Sequence, residues 1–160
     1  MIRQKKSLVQ QKLLLEIAWW VATSLLCLLI LFPILQKTNQ YPFTLINVIF
    51  VVVFVTLFRY IFSLKYTWLA RRQYLKITLV FLCIPLVFNM VNNLNYFITH
   101  IDEFSYEAYL GHLEQGVRNK LEIYIRSEML LFGVGSIIMS ALFPFRLLIS
   151  VWRQRNKGTV

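Results

Sequence analysis

Four long runs of this chain contain no Asp, Glu, Lys or Arg: Ile17–Gln36, Thr38–Phe58, Ile77–Ile101 and Met129–Phe145. A hydrocarbon layer of about 30 Å is crossed by roughly 20 apolar residues in helix. The pattern therefore predicts an all-α membrane protein. Its fold is a single-domain bundle of four transmembrane helices, over about 13–35, 43–64, 77–98 and 127–148. The turn Gln36–Pro42 is short and polar, so the second helix returns antiparallel beside the first. Trp19 and Trp20 lie close to the start of the first helix, at the depth where indoles favour the interface. The connection Lys65–Lys76 interleaves Lys65, Arg71, Arg72 and Lys76 with Tyr66, Trp68 and Tyr74, which suits a turn lying among lipid headgroups.

Between the third and fourth helices the pattern changes. Six of the seven acidic residues fall in Thr99–Glu128: Asp102, Glu103, Glu107, Glu114, Glu122 and Glu128. Tyr106, Tyr109, Leu110, Leu113, Val117, Leu121, Tyr124 and Ile125 recur at helical spacing, and Glu114–Arg118–Glu122–Arg126 is an i,i+4 ladder of alternating sign. Segment 99–126 is expected to form one or two amphipathic helices on the membrane surface, the second running into the fourth span. Gly111 and Gly116 mark breaks within it.

Charge placement gives a direction. Thirteen Lys and Arg lie on the side of the two termini and the second turn, against four on the other side. This positive-inside bias places both termini in the cytoplasm and segment 99–126 outside, in the periplasm if the membrane is a bacterial inner membrane, the expected location. The net charge of +10 does not point to nucleic acid, because the cations sit at the ends of apolar runs rather than on a folded surface. Anionic lipids at the cytoplasmic face are the expected counterpart. With 58% hydrophobic residues and a mean hydropathy of +0.61, the chain leaves no room for a separate soluble domain. The basic segment Met1–Lys12 precedes an apolar run too long for a signal peptide, so it reads as the start of a retained helix. Cys27 and Cys83 occupy separate runs at different depths, without a CxxC, and read as unpaired packing residues.

A few polar groups interrupt the apolar runs. Asn89, Asn92 and Asn93 share one helical face at i, i+3 and i+4, with Asn95 beyond and Pro85 one turn before. An amide in hydrocarbon is costly unless bonded, so this face is expected to point into the bundle or toward a partner, with Asn47 of the second helix bonding to it. Interhelical bonding is the preferred role and a ligand pocket the other. Glu16, Arg59 and Arg146 gather at the basic end as a candidate interfacial charge pair, Glu16 with either arginine. Gly133, Ser136 and Ser140 form a small-residue face for close helix packing, within the bundle or between subunits. Pro144 is expected to bend or end the fourth span.

His100 and His112 lie near acids, yet their spacing fits no metal motif such as HExxH, and no nucleophile–base arrangement is legible. No catalytic residue, metal or cofactor is assigned. These features point to a non-enzymatic subunit, or an accessory or sensing component, of an inner-membrane assembly, working with a protein partner or as a homo-oligomer. The alternative is a small-molecule transporter or channel component whose polar site is the asparagine face of the third helix.

Overall fold

The structure, a computed structural model, describes residues 2–38, 41–104 and 106–156, with no strand among them. Residues 39 and 40 of the first turn and Lys157 of the basic tail lie outside the described residues. The helices are α1 (Ile2–Lys37), α2 (Thr44–Ser63), α3 (Gln73–Phe104), the single-turn α4 (Glu107–Leu110) and α5 (Gln115–Arg155). Four segments, Gln10–Lys37, Thr44–Tyr66, Gln73–Phe104 and Gln115–Arg155, are long and apolar enough to cross a membrane. Two short 3-10 turns, Leu64–Tyr66 and Trp68–Arg71, connect α2 to α3. They meet at Thr67, whose hydroxyl donates to the Leu64 carbonyl at 2.8 Å.

α5 is the central helix. Both α2 and α3 pack along it, whereas α1 lies mainly against α2 and touches α5 only slightly. The largest apolar cluster sits at the end rich in acidic residues, where Phe43, Phe50, Met90, Leu94, Phe97, Ile101, Tyr106, Leu110, Leu121, Ile125 and Met129 interlock. A second cluster, with Leu57, Leu64, Leu69, Cys83, Phe143 and Leu147, fills the basic end. Cys27 packs with Leu31 and Val51 in a third, and both cysteines are free.

The later part of segment 99–126 runs into the fourth span, as expected, whereas its first part continues α3 instead of forming a helix of its own. α3 continues to Phe104, α4 makes one turn, and α5 starts at Gln115 and runs unbroken into the fourth span. Leu121, Ile125 and Met129 form one buried stripe, so continuing the helix buries more apolar surface than breaking it at Gly116, which has open space around it. One rung of the expected ladder is present, Arg118 Nε donating to Glu122 Oε1 at 2.8 Å. Nor does Pro144 end its span: α5 extends eleven residues beyond it, and Pro33 and Pro85 also lie inside helices. Apolar helices tolerate proline where neighbouring groups satisfy the freed carbonyl.

The small-residue face of α5 points into the bundle. Gly133, Ser136 and Ser140 are all buried, and a Cβ added at Gly133 would lie 2.8 Å from Leu94 Cδ1 and 3.3 Å from the Phe50 ring. Gly133 thus lets α2 and α3 close on α5 at one level. Gly133→Leu is expected to destabilise the fold by about 2 kcal/mol through overpacking, read as loss of helicity at lower SDS fraction in mixed micelles.

Candidate functional site

The most deeply buried acid in the chain sits where α5 crosses α2. Glu128 follows Ile125 by three residues and precedes Met129, so the same helical stripe that buries those two apolar side chains buries the carboxyl. It is 6% exposed, and the Asn47 side chain opposite, one turn into α2, is fully buried. Asn47 Nδ2 donates to Glu128 Oε1. The other oxygen of each group, Glu128 Oε2 and Asn47 Oδ1, is buried without a hydrogen-bond partner. None of the ion pairs among the described residues involves Glu128.

A carboxyl and a carboxamide in this arrangement complete each other when the acid carries a proton. Asn47 Nδ2–H then donates to Oε1 while Oε2–H donates to Asn47 Oδ1, closing a ring that satisfies both remaining oxygens. With the acid ionised, both oxygens stay unsatisfied and a buried negative charge has no described cation to balance it. The Nδ2–Oε1 bond is one half of such an acid–amide pair.

The pair lies under a cap of aromatic side chains. Tyr41 from the α1–α2 turn and Tyr106 beside α4 are both buried, and their hydroxyls have no partner. Burial pushes the Tyr41 phenol up, and burial is also the main cause that holds Tyr106 up at about 12. Both therefore keep their O–H at neutral pH. Phe43 continues the cap, packed edge-on against Phe97 at 5.1 Å and against His100 at 5.1 Å. His100 bonds to the Tyr109 hydroxyl at 2.7 Å, and His112 to the Lys37 carbonyl at 3.1 Å. Both histidines thus hold the cap together. A small hollow of about 60 Å³, lined by Tyr106, Asp102 and Arg126 among others, lies beside the cap.

The asparagine face of α3 points out of the bundle, not into it, which leaves the partner-facing alternative of the two expected directions. Asn89, Asn92 and Asn95 are exposed and Asn93 is half-buried, while Met90, Leu94, Phe97 and Ile101 form the stripe that faces α5. Asn93 Nδ2 donates to Asn89 Oδ1 along the helix, and Asn47 bonds to Glu128 instead of to this cluster. The reason is competition for one face. Large apolar side chains claim the α5 contact; Asn93, at the edge of that stripe, is left half-buried, and Asn89, Asn92 and Asn95, farther round the helix, are left outside.

At the opposite end Glu16 pairs with Arg59, Oε2 to Nη1 at 2.8 Å, and the guanidinium lies over the Trp19 and Tyr60 rings at 5.3 and 5.6 Å. Arg146 is not part of that pair. Its Nε donates to the Ile61 carbonyl at 2.8 Å. Comparison with protein-family models, curated proteins and solved structures finds no match to this chain. Geometry alone carries the functional reading.

Glu128 was the residue hardest to see in the sequence. It stands last in an acidic segment and directly before an uncharged run, so it reads as the final solvated acid. The available signal is its register, three residues after Ile125 on the Leu121–Ile125 stripe.

Proposed function

We propose that this chain is a small integral membrane protein, a non-enzymatic sensing or accessory component of an inner-membrane assembly, and that the Glu128–Asn47 pair is its proton-responsive element. The observation that carries the reading is the pair of buried, unpartnered oxygens, Glu128 Oε2 and Asn47 Oδ1, on two side chains already joined by a hydrogen bond, where a proton on Glu128 would supply the missing donor. The basic end faces the cytoplasm with both termini, and the capped, acidic end faces outward. From there the pair reports the proton concentration outside.

The sign follows from linkage. The closed cap holds one proton more than a state in which water reaches an ionised Glu128. Closure is therefore complete at lower pH and is lost as pH rises. The titratable groups that an ionised Glu128 would reach come from every neighbouring element: Cys27 on α1, Tyr41 in the first turn, Tyr106 beside α4, and Tyr124 on α5. Around Tyr106 stand Asp102 of α3 and Glu122 and Arg126 of α5. His100 of α3, bonded to Tyr109, completes the set.

The outward amides of α3 support membership in an assembly. Asn89 and Asn92 on an apolar helix are stabilised when polar groups of a second polypeptide bond to them. The same outward direction removes the lining that a transport site in α3 would use. Hydrogen–deuterium exchange over residues 106–128, followed across pH, tests the sensing reading. The wild type is expected to lose protection with rising pH relative to Glu128→Gln measured at each same pH. Identical profiles for the two proteins would refute it.

A further inference from the structure

The basic end of the bundle holds a second polar site, independent of the acid–amide pair and sharing no residue with it. Lys65 of the α2–α3 connection and Arg146, Ser150, Arg153 and Gln154 of α5 line a hollow of about 480 Å³. Lys76 does not line the hollow; its side chain is fully buried and bonds to three residues that do. The ammonium group donates to the Ala70 carbonyl at 2.6 Å and to Ser150 Oγ at 2.9 Å, with Gln154 Oε1 at 3.4 Å. All three partners are neutral. Three cations, Lys65, Arg146 and Arg153, therefore line the hollow, Lys76 bonds to its wall, and none of the four forms an ion pair among the described residues. The one acid on the basic side of the sequence, Glu16, is committed to Arg59.

Such an arrangement is built for an anion. The Arg146 guanidinium on the wall and the buried Lys76 ammonium near it, which has no counter-charge, both favour a negative group in the hollow. Arg146 is pre-oriented, because its Nε donates to Ile61 and fixes the guanidinium plane beside the hollow. Its terminal nitrogens then offer the fork that suits the oxygens of a phosphate. Ser150 and Gln154 add neutral polar contacts on the same wall. Carboxylates are a poorer match, since a tetrahedral group with several acceptor oxygens can meet Lys65, Arg146 and Arg153 from different sides.

We infer that this hollow is a binding site for a phosphate group, supplied by an anionic phospholipid headgroup or by a free phosphate anion. It lies at the level where the Tyr66, Trp68 and Tyr74 side chains are exposed, as they are at a membrane interface. Its use by lipid rests on the membrane reading above, and its use by free phosphate does not.

The test uses the full chain purified in a zwitterionic detergent free of phosphate. Short-chain phosphatidylglycerol, short-chain phosphatidylcholine and inorganic phosphate are titrated separately, with binding read by intrinsic tryptophan fluorescence and by native mass spectrometry. Saturable binding of phosphatidylglycerol over phosphatidylcholine assigns the site to lipid, and equally tight binding of inorganic phosphate assigns it to the free anion. In either case Arg146→Gln and Arg153→Gln are each expected to weaken binding about tenfold, the loss of one charge-assisted contact. Arg153→Gln keeps the test secure should Arg146→Gln disturb packing at Ile61. Arg155→Gln, exposed and outside the hollow, is expected to leave binding unchanged. Absence of saturable binding by both phosphate species overturns the inference, as does an equal loss in Arg155→Gln. Neither result bears on Glu128, whose pH profile is read at the other end of the bundle.

Discussion

Glu128→Ala is expected to destabilise the bundle by about 3 kcal/mol, combining a cavity beside Met129 with an orphaned Asn47 amide. Glu128→Gln should stay within about 1 kcal/mol of wild type, because a carboxamide reproduces both bonds of the protonated acid. The contrast between the two substitutions matters more than either value. An ionised glutamate held by other forces would make the glutamine variant either markedly more stable or markedly less, according to the balance of desolvation and partner loss. SDS titration in mixed micelles with helicity as the readout measures both variants against wild type.

Removing the acid at the other end has a comparable effect by a different route. Glu16→Ala leaves the Arg59 guanidinium 6% exposed without its carboxylate, and an unpaired buried charge costs about 3–5 kcal/mol. The lower end of that range is expected, because the Trp19 and Tyr60 rings remain over the cation. The consequence is local. α1 is held mainly by α2, so loss of the pair should release α1 first, seen as faster proteolysis near Glu16 while α2, α3 and α5 stay protected. Pairing Glu16→Ala with Arg59→Leu should restore most of the protection, since no buried charge is then left uncompensated.

Much of the helical plan was legible because uncharged runs report helices directly. α2 was anticipated at 43–64 and observed at Thr44–Ser63, since Pro42 and the basic turn bracket it closely. α3 and α5 are longer than the runs that revealed them. A run without charges marks the segment able to sit in hydrocarbon, whereas a helix continues through the headgroup depth until capping or a turn stops it. The direction of the asparagine face was not legible in the same way. Spacing at i, i+3 and i+4 shows that Asn89, Asn92 and Asn93 share a face, but which face α3 buries is decided by Met90, Leu94, Phe97 and Ile101 acting together. Asn47 is plain in the sequence as a polar residue of α2, but its partner is Glu128 and not the asparagine face. Its true partner was hidden because solvated neighbours such as Asp102 and Glu107 made Glu128 look like one more surface acid.

The Glu16–Arg59 contact and the basic hollow show a similar division. Positive charges at the end of the bundle are plain in the sequence, but Arg59 and Arg146 differ in what they touch: one has a carboxylate, the other the Ile61 carbonyl and an open hollow. That difference depends on which helix each one faces. It becomes visible only when α2 and α5 are placed side by side.

The state of the Glu128 carboxyl is the central claim, and infrared spectroscopy of the full chain in lipid at neutral pH reads it directly. The account predicts a carbonyl band from a hydrogen-bonded carboxylic acid in the wild type, shifted by deuterium exchange or by glutamate isotope labelling and missing from Glu128→Gln. A wild-type spectrum holding only carboxylate bands, identical in that region to the Glu128→Gln spectrum, would contradict it.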